Sequence, residues 1–404
     1  DMNIEELDKW AKRKGIDVMG TGDFTHPEWI KELKERLEPS PEEGLFILKK
    51  SPDISKATRF ILSVEISSIY SKGGCVRKVH TIILAPSFEV AAEINKQLGL
   101  RGNLHSDGRP ILGLDVKELA KIVFAVSDKC MVIPAHAWTP WFSVFGSKSG
   151  FDSLEECFGK YTDKIFAIET GLSSDPAMNW RVKKLDKIAF ISNSDSHSLQ
   201  RIGREANVFN TELSYKGIMD AIKSSPSAGS GRLSRFIETI EFFPEEGKYH
   251  YDGHRACGIV MPPEKSKKLK EICPKCGKKM TIGVVYRVDQ LADPKRPEGY
   301  KDSKRVPFKN LVTLDSIIGE ALDVGRATKS VMKEYVKLIK EFGSEFAILQ
   351  DALIKEIALA SKPEIAEGVK RVREGKLTIK PGYDGEFGVV KIFDENDRKK
   401  IASH

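Results

Sequence analysis

Short apolar runs rich in β-branched residues recur through the first 224 residues, with stretches of helical periodicity between them. In chain order the runs are GIDVMGTGD, LFILKK, RFILSVEI, KVHTIILAP, CMVIPAHAW, KIFAIETG, KIAFISNSDSH and EANVF. Helical spacing of apolar positions is clear over residues 87–98 and 116–122. Continuous apolar runs are typical of buried parallel strands, and their alternation with helices indicates a parallel α/β sheet or barrel. The pattern therefore predicts an α/β domain over residues 1–225.

The pattern changes after residue 224. The segment SSPSAGSGRLSR, residues 224–235, is rich in Ser and Gly and reads as a linker. A compact segment with Cys and His follows over residues 236–310. Residues 311–404 have mostly helical periodicity and end in the sequence KLTIKPGYDGEFGVVKIF, which predicts a hairpin. We therefore predict a small second module and a helical C-terminal domain.

Length and composition narrow the class of protein. A chain of 404 residues exceeds what one hydrophobic core usually supports. No apolar run approaches the roughly 18 to 20 residues that span a bilayer, and the first residues lack the apolar core of a secretory signal. Six cysteines are too few for a disulfide scaffold. These features predict a globular protein of the reducing cytoplasm with no membrane partner.

The net charge of +7 is concentrated in one segment. Residues 251–310 hold 15 Lys and Arg against 7 Asp and Glu, which accounts for the whole excess. A local basic patch is expected of a polyanion-binding surface, although a run of lysines is also compatible with an ordinary solvated face. Charge alone leaves both interpretations open.

Histidines and carboxylates lie at or just after the ends of several predicted strands. They are Asp23, His26, Glu65, His80, His136, Asp195 and His197. In parallel α/β folds the strand ends are where ligands and catalytic groups collect. Each histidine alone is compatible with a structural role, but together with the acids they predict a multinuclear site with imidazole and carboxylate ligands. We expect Glu65, His80, His136, Asp195 and His197 to be the catalytic members.

The strings around these residues resemble a known family. GTGDFTHPEW, IYSKGGCVRKVHTIILAP, AHAWTPWFSVFGSKSGFDS, ETGLSSDPAMNWR and SNSDSHS are similar to endonuclease Q within the polymerase and histidinol phosphatase (PHP) superfamily. The resemblance covers about residues 3–225 and implies a distorted seven-stranded (β/α) barrel that binds up to three metal ions. It further implies a repair nuclease that nicks DNA on the 5′ side of a deaminated base or an abasic site.

Two departures from the superfamily pattern bear on the metal site. The resemblance places a first H-x-H motif upstream of Asp1, and nothing in this chain replaces it, so we expect at least one metal site here to be incomplete. The usual Asp-His pair appears as Asp23-Phe24, with His26 two residues further on. Asp23, His26 or both are therefore candidate ligands.

A second ligand set lies in the basic segment. His254 and Cys257 are separated by two residues, as are Cys273 and Cys276, and fifteen residues lie between the two pairs. This spacing predicts a closed Cys3His site for structural Zn²⁺, with His250 as the alternative fourth ligand. Four protein ligands leave no open position for catalysis.

Two loops offer side chains that could contact a base, although packing and turn chemistry explain them equally well. The aromatic set is Trp138, Trp141, Phe142 and Phe145, and the polar set is Ser173, Ser174 and Asn179.

We therefore expect a metal-dependent endonuclease that cleaves damaged double- or single-stranded DNA beside deoxyinosine, uracil or abasic sites. Its catalytic ions would be Zn²⁺, Mn²⁺ or Mg²⁺. One alternative is a small-molecule phosphoesterase of the same superfamily, which gives no reason for the basic zinc module. Another is a DNA-binding protein that is inactive for lack of the first metal motif. The chain has no sliding-clamp motif, and its sequence does not fix an oligomeric state.

Overall fold

Strands form at all eight apolar runs of the N-terminal region in the computed structural model, which describes residues 2–106, 108–224, 235–395 and 397. The strands of this region are β1 (Val18–Gly20), β2 (Leu37–Pro39), β3 (Phe46–Leu48), β4 (Arg59–Lys72), β5 (Cys75–Ala85), β6 (Ile111–Leu112), β7 (Met131–Pro134), β8 (Ala167–Glu169), β9 (Ala189–Ile191) and β10 (Ala206–Phe209). Its helices are α1 (Ile4–Lys14), α2 (Pro27–Arg36), α3 (Phe88–Gly99), α4 (Val116–Val126), α5 (Leu154–Phe158), α6 (Pro176–Trp180) and α7 (Tyr215–Ser224). The strand–helix alternation is confirmed. The predicted linker lies outside the described residues except at its two ends.

Seven of these strands form one mixed sheet. Its hydrogen-bonded path runs β2-β3-β4-β5-β7, and β1 and β6 each pair with β4 in parallel. The pairs β4–β5 and β5–β7 are antiparallel, where the alternation predicts parallel pairing. Gly73 and Gly74 have φ of +61° and +73°, so they form a two-residue loop that returns the chain directly into β5.

The later strands continue this layer. The backbone N–H of Ala137, just after β7, donates to the carbonyl of Glu169 in β8 at 3.0 Å, and β8 pairs in parallel with β9. Strand β10 pairs antiparallel with β11 (Phe236–Glu241), so the segment after the linker begins with a strand hydrogen-bonded to the N-terminal region. A mixed α/β fold is confirmed, while the closed barrel and the domain boundaries stay predictions.

The rest of residues 236–310 forms a small unit beside this layer. It contains β12 (Asp252–His254), β13 (Ile259–Met261), α8 (Pro263–Lys268), α9 (Val284–Leu291) and β14 (Phe308–Asn310). Strand β14 pairs in parallel with β11, and β12 pairs antiparallel with β13. Met261, Cys273 and Met280 make a separate apolar cluster, which is too small to be a core by itself.

The C-terminal region is helical, as its periodicity predicts. It contains α10 (Leu314–Ala321), α11 (Lys329–Phe342), a π-helical turn (Ala347–Asp351), α12 (Ile354–Ala360) and α13 (Pro363–Glu374). The predicted terminal hairpin is confirmed as β15 (Thr378–Lys380) paired antiparallel with β16 (Val389–Lys391).

The first helix connects the N-terminal region with the helical C-terminal region. Asn3 caps α1 by accepting from the backbone N–H of Glu6, and Gly15 ends it with φ of +85°. The Trp10 ring lies 6.1 Å from the ring of Tyr335 in α11. Lys14 Nζ forms a buried ion pair with Glu345 Oε2 at 2.7 Å. The helical C-terminal region therefore packs directly on the N-terminal region.

Candidate metal centres

Glu65, His80 and His136 converge at one end of the main sheet. Glu65 pairs with Ile82 across the β4–β5 hairpin, so His80 is its diagonal neighbour on the same face. His136 follows the end of β7. The Glu65 Oε1 atom lies 3.0 Å from His80 Nδ1 and 3.4 Å from His136 Nε2, and the two ring nitrogens are 3.0 Å apart.

This donor set fits a divalent cation. The three ligand atoms lie within 4.8 Å of one another, close enough to share one ion. Two imidazoles and one carboxylate suit Zn²⁺ and comparable first-row ions. Burial opposes ionisation of Glu65, yet hydrogen bonds from His136 and His80 hold the pKa of its carboxyl well below the usual range. The carboxylate is therefore ready to bind a cation.

Backbone strain coincides with the predicted ligands. Asp23, His136 and Asp195 have φ of +43°, +28° and +42°, a region that non-glycine residues seldom adopt. A Cβ on Gly171 would lie 2.6 Å from His136 Cβ, so only glycine fits beside the strained loop. Such outliers concentrate at functional sites, where the surrounding structure holds them.

Arg109 is a site residue that the sequence reasoning missed. Its Nη1 atom lies 2.8 Å from Glu65 Oε1 and 2.7 Å from His80 Nδ1. Its Nη2 atom lies 3.3 Å from His197 Nε2 and 3.9 Å from Asp195 Oδ1. A search restricted to metal-ligating residue types overlooks arginine. Its place after Gly108 and before Pro110, in a turn near β6, was the available signal.

The other sequence-predicted residues border the same cluster. Asp195 Oδ1 is 3.9 Å from His197 Nδ1, and the His197 side chain is 73% exposed. Burial, and then the charge of Glu65, raise the pKa of Asp23, so this carboxyl lies within electrostatic reach of the cluster. His26 lies at the N-cap of α2, and its backbone N–H donates to the carbonyl of Asp23 at 2.9 Å. Their assignment as metal ligands stays a prediction.

Glu169 was also missed. It ends β8 and is buried, and its Oε2 accepts from the backbone N–H of His136 at 2.7 Å. Its Oε1 accepts from the Asn193 side chain at 2.9 Å. Burial raises its pKa to about 7, against the opposing charge of His136. Glu169 stands at a strand end like the other acids, and that position could have identified it.

The second cluster gathers the four predicted zinc ligands. The donor atoms of His254, Cys257, Cys273 and Cys276 lie within 4.8 Å of one another, and His254 Nδ1 is 3.4 Å from Cys276 Sγ. The backbone N–H of Gly277 donates to the Cys273 carbonyl, and φ of +73° at Gly277 makes the tight turn that a zinc knuckle needs. Desolvation favours the neutral Cys273 thiol, but nearby backbone N–H groups lower its pKa to about 7. The set fits structural Zn²⁺.

His250, the alternative fourth ligand, lies elsewhere, in the wall of a cavity of about 400 Å³. It is 7% exposed, and its Nδ1 has no hydrogen-bond partner among the described residues. Glu245 Oε2, in the same wall, is likewise buried without a partner there. The cavity is lined by Asp175, Ala177, Met178, Arg181, Pro244, Glu245, His250, Tyr251, Val285, Glu298, Gly299, Ile379 and Pro381. A concave site that combines apolar side chains with a few unpaired polar atoms is a candidate ligand pocket.

Some side chains of the two loops considered from sequence are buried, and others reach the surface. Trp138 is 1% exposed, and its Nε1 donates to Asn179 Oδ1 at 2.7 Å. Asn179 in turn donates to Ser174 Oγ at 3.2 Å. Phe145 is buried against Trp138, with ring centroids 4.8 Å apart. These side chains fix the loops from inside, whereas Trp141 reaches the surface.

The lysines of residues 265–279 are all exposed around the zinc ligands. Lys267 pairs with Asp289 at 3.0 Å. The charge excess predicted from sequence is therefore a surface property of this module. Among the described residues, no helix has the length and apolar character needed to cross a bilayer.

Known proteins with similar sequences cover different parts of this chain. The family model of the MJ0043 C-terminal domain matches residues 313–376. The chain is 34% identical to the uncharacterized protein MJ0043 of Methanocaldococcus jannaschii, over 64% of its own length and 31% of the length of MJ0043. It is 29% identical to the uncharacterized protein YqxK of Bacillus subtilis, over 94% of its own length and 90% of that protein. The chain thus spans about a third of one curated relative and most of the other.

Two solved structures share the architecture over almost the whole chain. The lesion-specific endonuclease PfuEndoQ from Pyrococcus furiosus matches with a TM-score of 0.82 and 31% identity, covering 98% of this chain and 91% of that one. A crystal structure of endonuclease Q with a 27-mer duplex substrate, which has an abasic lesion at the active site, matches with a TM-score of 0.81 and 30% identity, covering 98% and 93%. With this agreement in both sequence and fold, the chain belongs to the endonuclease Q family of DNA repair enzymes.

Proposed function

We propose that this protein is a metal-dependent endonuclease that hydrolyses the phosphodiester on the 5′ side of deoxyinosine, uracil or an abasic site in DNA. The observation that carries the proposal is the convergence of Glu65, His80 and His136 around one point, with Arg109 beside them. The family membership supports DNA as the substrate, since a related structure holds a lesion duplex.

The chain's own residues have distinct tasks in this proposal. Glu65, His80 and His136 hold a divalent ion, and Asp23, His26, Asp195 and His197 extend the site to further ions. When bound, such ions supply positive charge to the scissile phosphate and activate water. Glu169 fixes the backbone of His136 through its 2.7 Å hydrogen bond, which sets the orientation of that ligand.

Arg109 binds the scissile phosphate in this proposal. A planar guanidinium with two N–H groups directed into the cluster matches two oxygens of one phosphate. No covalent protein nucleophile is needed, because the attacking oxygen comes from water.

The zinc module and the cavity recognise the DNA. The exposed lysines of residues 265–279 contact phosphates, which adds affinity without selecting sequence. A damaged or mispaired base costs less to extrude than a paired one. We assign the extruded base to the cavity, where His250 Nδ1 and Glu245 Oε2 are available to its polar edge.

A substrate panel tests the proposal. Duplexes with one deoxyinosine, uracil or abasic site are incubated with Mg²⁺, Mn²⁺ or Zn²⁺, next to the undamaged duplex and p-nitrophenyl phosphate. We expect nicking of the three lesion duplexes and little turnover of the other two substrates. Turnover of p-nitrophenyl phosphate alone would favour the small-molecule phosphoesterase, and lesion binding without any nicking would favour an inactive DNA-binding protein.

A further inference from the structure

Three aromatic side chains from separate parts of the chain lie near one another at the protein surface. Trp141 is 36% exposed, and its ring meets the Tyr249 ring edge to face at 5.7 Å. Phe387, in the loop of the C-terminal hairpin, is 69% exposed. A Cβ on Gly385, two residues before Phe387, would lie 3.9 Å from the Tyr249 hydroxyl, so the hairpin reaches the same place. We call Trp141, Tyr249 and Phe387 the aromatic strip.

The strip connects to the metal cluster through Phe142. The Phe142 carbonyl accepts from the backbone N–H of His80 at 2.9 Å, and its ring centroid is 4.8 Å from that of His80. Trp141 directly precedes Phe142 in the chain. A DNA strand with a phosphate at His80 would therefore have a neighbouring nucleotide next to Trp141, the first member of the strip.

Cations accompany the rings. Lys78 Nζ lies 5.2 Å from the centre of the Phe142 ring, and Lys248 Nζ lies 4.5 Å from the centre of the Phe387 ring. Lys248 is exposed and Lys78 is half-buried. Aromatic faces interleaved with lysines are the surface that single-stranded nucleic acid binds, because every base has a face that stacks.

The backbone holds Phe387 in place. Gly382 N–H donates to the Glu245 carbonyl at 2.7 Å, Gly388 N–H donates to the Glu246 carbonyl at 3.1 Å, and Gly385 N–H donates to the Lys248 carbonyl at 3.0 Å. A Cβ on Gly388 would lie 1.9 Å from the Glu245 carbonyl oxygen, so the hairpin fits only with glycine there. An exposed aromatic ring on an anchored loop is preorganised for contact.

We propose that the aromatic strip stacks on the unpaired bases beside the lesion and keeps the duplex open next to the metal cluster. This inference rests on the proposed function, since it takes DNA as the substrate. The occupant is a run of unstacked bases, which fits the Lys248 cation over the Phe387 ring and the excess positive charge of the adjoining module.

Binding without added divalent ions tests the strip separately from catalysis. Probes are a single-stranded oligonucleotide, an intact duplex, and a duplex with 2-aminopurine beside an abasic site. We expect Trp141→Leu and Phe387→Leu each to weaken binding of the single strand and the lesion duplex roughly tenfold, with little change for the intact duplex. The 2-aminopurine fluorescence change that reports unstacking should shrink in the same variants.

Two matched variants serve as controls. Phe387→Trp keeps a stacking face and should bind like the wild type, and Val389→Ala removes an exposed apolar side chain of the same hairpin without touching the strip. Wild-type affinity and fluorescence in Phe387→Leu would overturn the proposal, as would an equal loss of binding to all three probes. Nicking by the wild type is measured in parallel. If the wild type never nicks DNA but the strip variants still lose single-strand binding, the proposed nuclease activity is overturned and the proposed role of the aromatic strip is not.

Discussion

At the scale of single residues, charge balance at the Glu65 cluster is the feature with the clearest consequences. Arg109 places a permanent positive charge within 2.8 Å of the Glu65 carboxylate and within 2.7 Å of a ring nitrogen of His80. Lysine would offer a point charge in place of a planar fork. As the proposed phosphate-binding group, Arg109 would therefore act through its shape as well as its charge.

Arg109→Gln should reduce nicking of a deoxyinosine duplex by about 100-fold, the usual effect of losing one donor to developing charge. Lesion binding should fall by less than tenfold, since the lysines around the zinc site remain. Arg109→Lys should recover only part of the rate. Arg101→Gln removes an exposed arginine of the preceding loop and serves as the control. A rate within threefold of wild type in Arg109→Gln would contradict the assignment.

Buried carboxyls beside the site give a pH prediction. Burial raises the pKa of Glu241, and its Oε2 accepts from the Thr170 hydroxyl at 2.9 Å while its Oε1 has no partner among the described residues. A carboxyl whose folded-state pKa is raised stabilises the fold below its unfolded pKa near 4.5, and that stabilisation is lost as pH rises toward the folded pKa.

Glu241→Gln mimics the protonated acid, so it should match the wild type at pH 5 and exceed its stability at pH 8. The gain should be about 4 kcal/mol, since the pKa rises from 4.5 to about 8 and each unit corresponds to about 1.4 kcal/mol. Denaturant unfolding at several pH values measures it. Glu238→Gln, on the same strand and paired with Lys309, should show no such gain at pH 8. A pH-independent difference for Glu241→Gln would contradict the buried neutral acid.

At the scale of elements, the predicted zinc module has too small an apolar core to fold by itself. Its separate apolar cluster consists of Met261, Cys273 and Met280, with Cys257 and Ile259 packed against it. A cluster this small cannot offset the conformational entropy of the surrounding loops. Binding of Zn²⁺ at the predicted site would supply the folding free energy of the segment.

Cys273→Ser should lose one equivalent of zinc and make residues 250–280 sensitive to protease, while the N-terminal region stays folded. Metal analysis and limited proteolysis measure both effects. Cys75→Ser, at the exposed β4–β5 hairpin, is the control for thiol loss. Unchanged metal content and protease resistance in Cys273→Ser would show that the cluster is not a structural site.

Two lysines beside the predicted zinc ligands, Lys278 and Lys279, give a prediction about DNA affinity. Changing Lys278 and Lys279 to Gln should weaken binding to damaged and undamaged duplex alike and flatten the salt dependence, because phosphate contacts carry no sequence information. Changing the same pair to Arg keeps the charge and should preserve the slope. Loss of affinity for the damaged duplex alone would mean that these lysines read the lesion.

At the scale of the whole molecule, sequence patterns predicted the elements better than their partners. The eight apolar runs and the terminal hairpin were recoverable because burial and turn chemistry act locally. The antiparallel β4–β5 pair was not foreseen, although Gly73-Gly74 signals a two-residue turn. The buried Lys14–Glu345 ion pair joins residues more than 300 positions apart, and no local pattern encodes it.

In the candidate site too, sequence patterns predicted some residues, whereas others are identified by their three-dimensional neighbours. Histidine, cysteine and acid spacing predicted the side chains that converge in the two clusters, since metal chemistry restricts the residue types. Arg109 donates to Glu65, and Glu169 accepts from the backbone N–H of His136, so both are tied to the cluster by three-dimensional neighbours. The aromatic strip draws on three distant segments and was foreseen only at Trp141.

The most direct test of the account maps the nick on a duplex with one deoxyinosine at nucleotide resolution. We expect a single break at the phosphodiester on the 5′ side of the lesion, no break in the undamaged duplex, and a rate at least about 1,000-fold lower in Glu65→Gln, which removes the shared carboxylate of the cluster. Equal cleavage of the undamaged duplex, or an undiminished rate in Glu65→Gln, would contradict it.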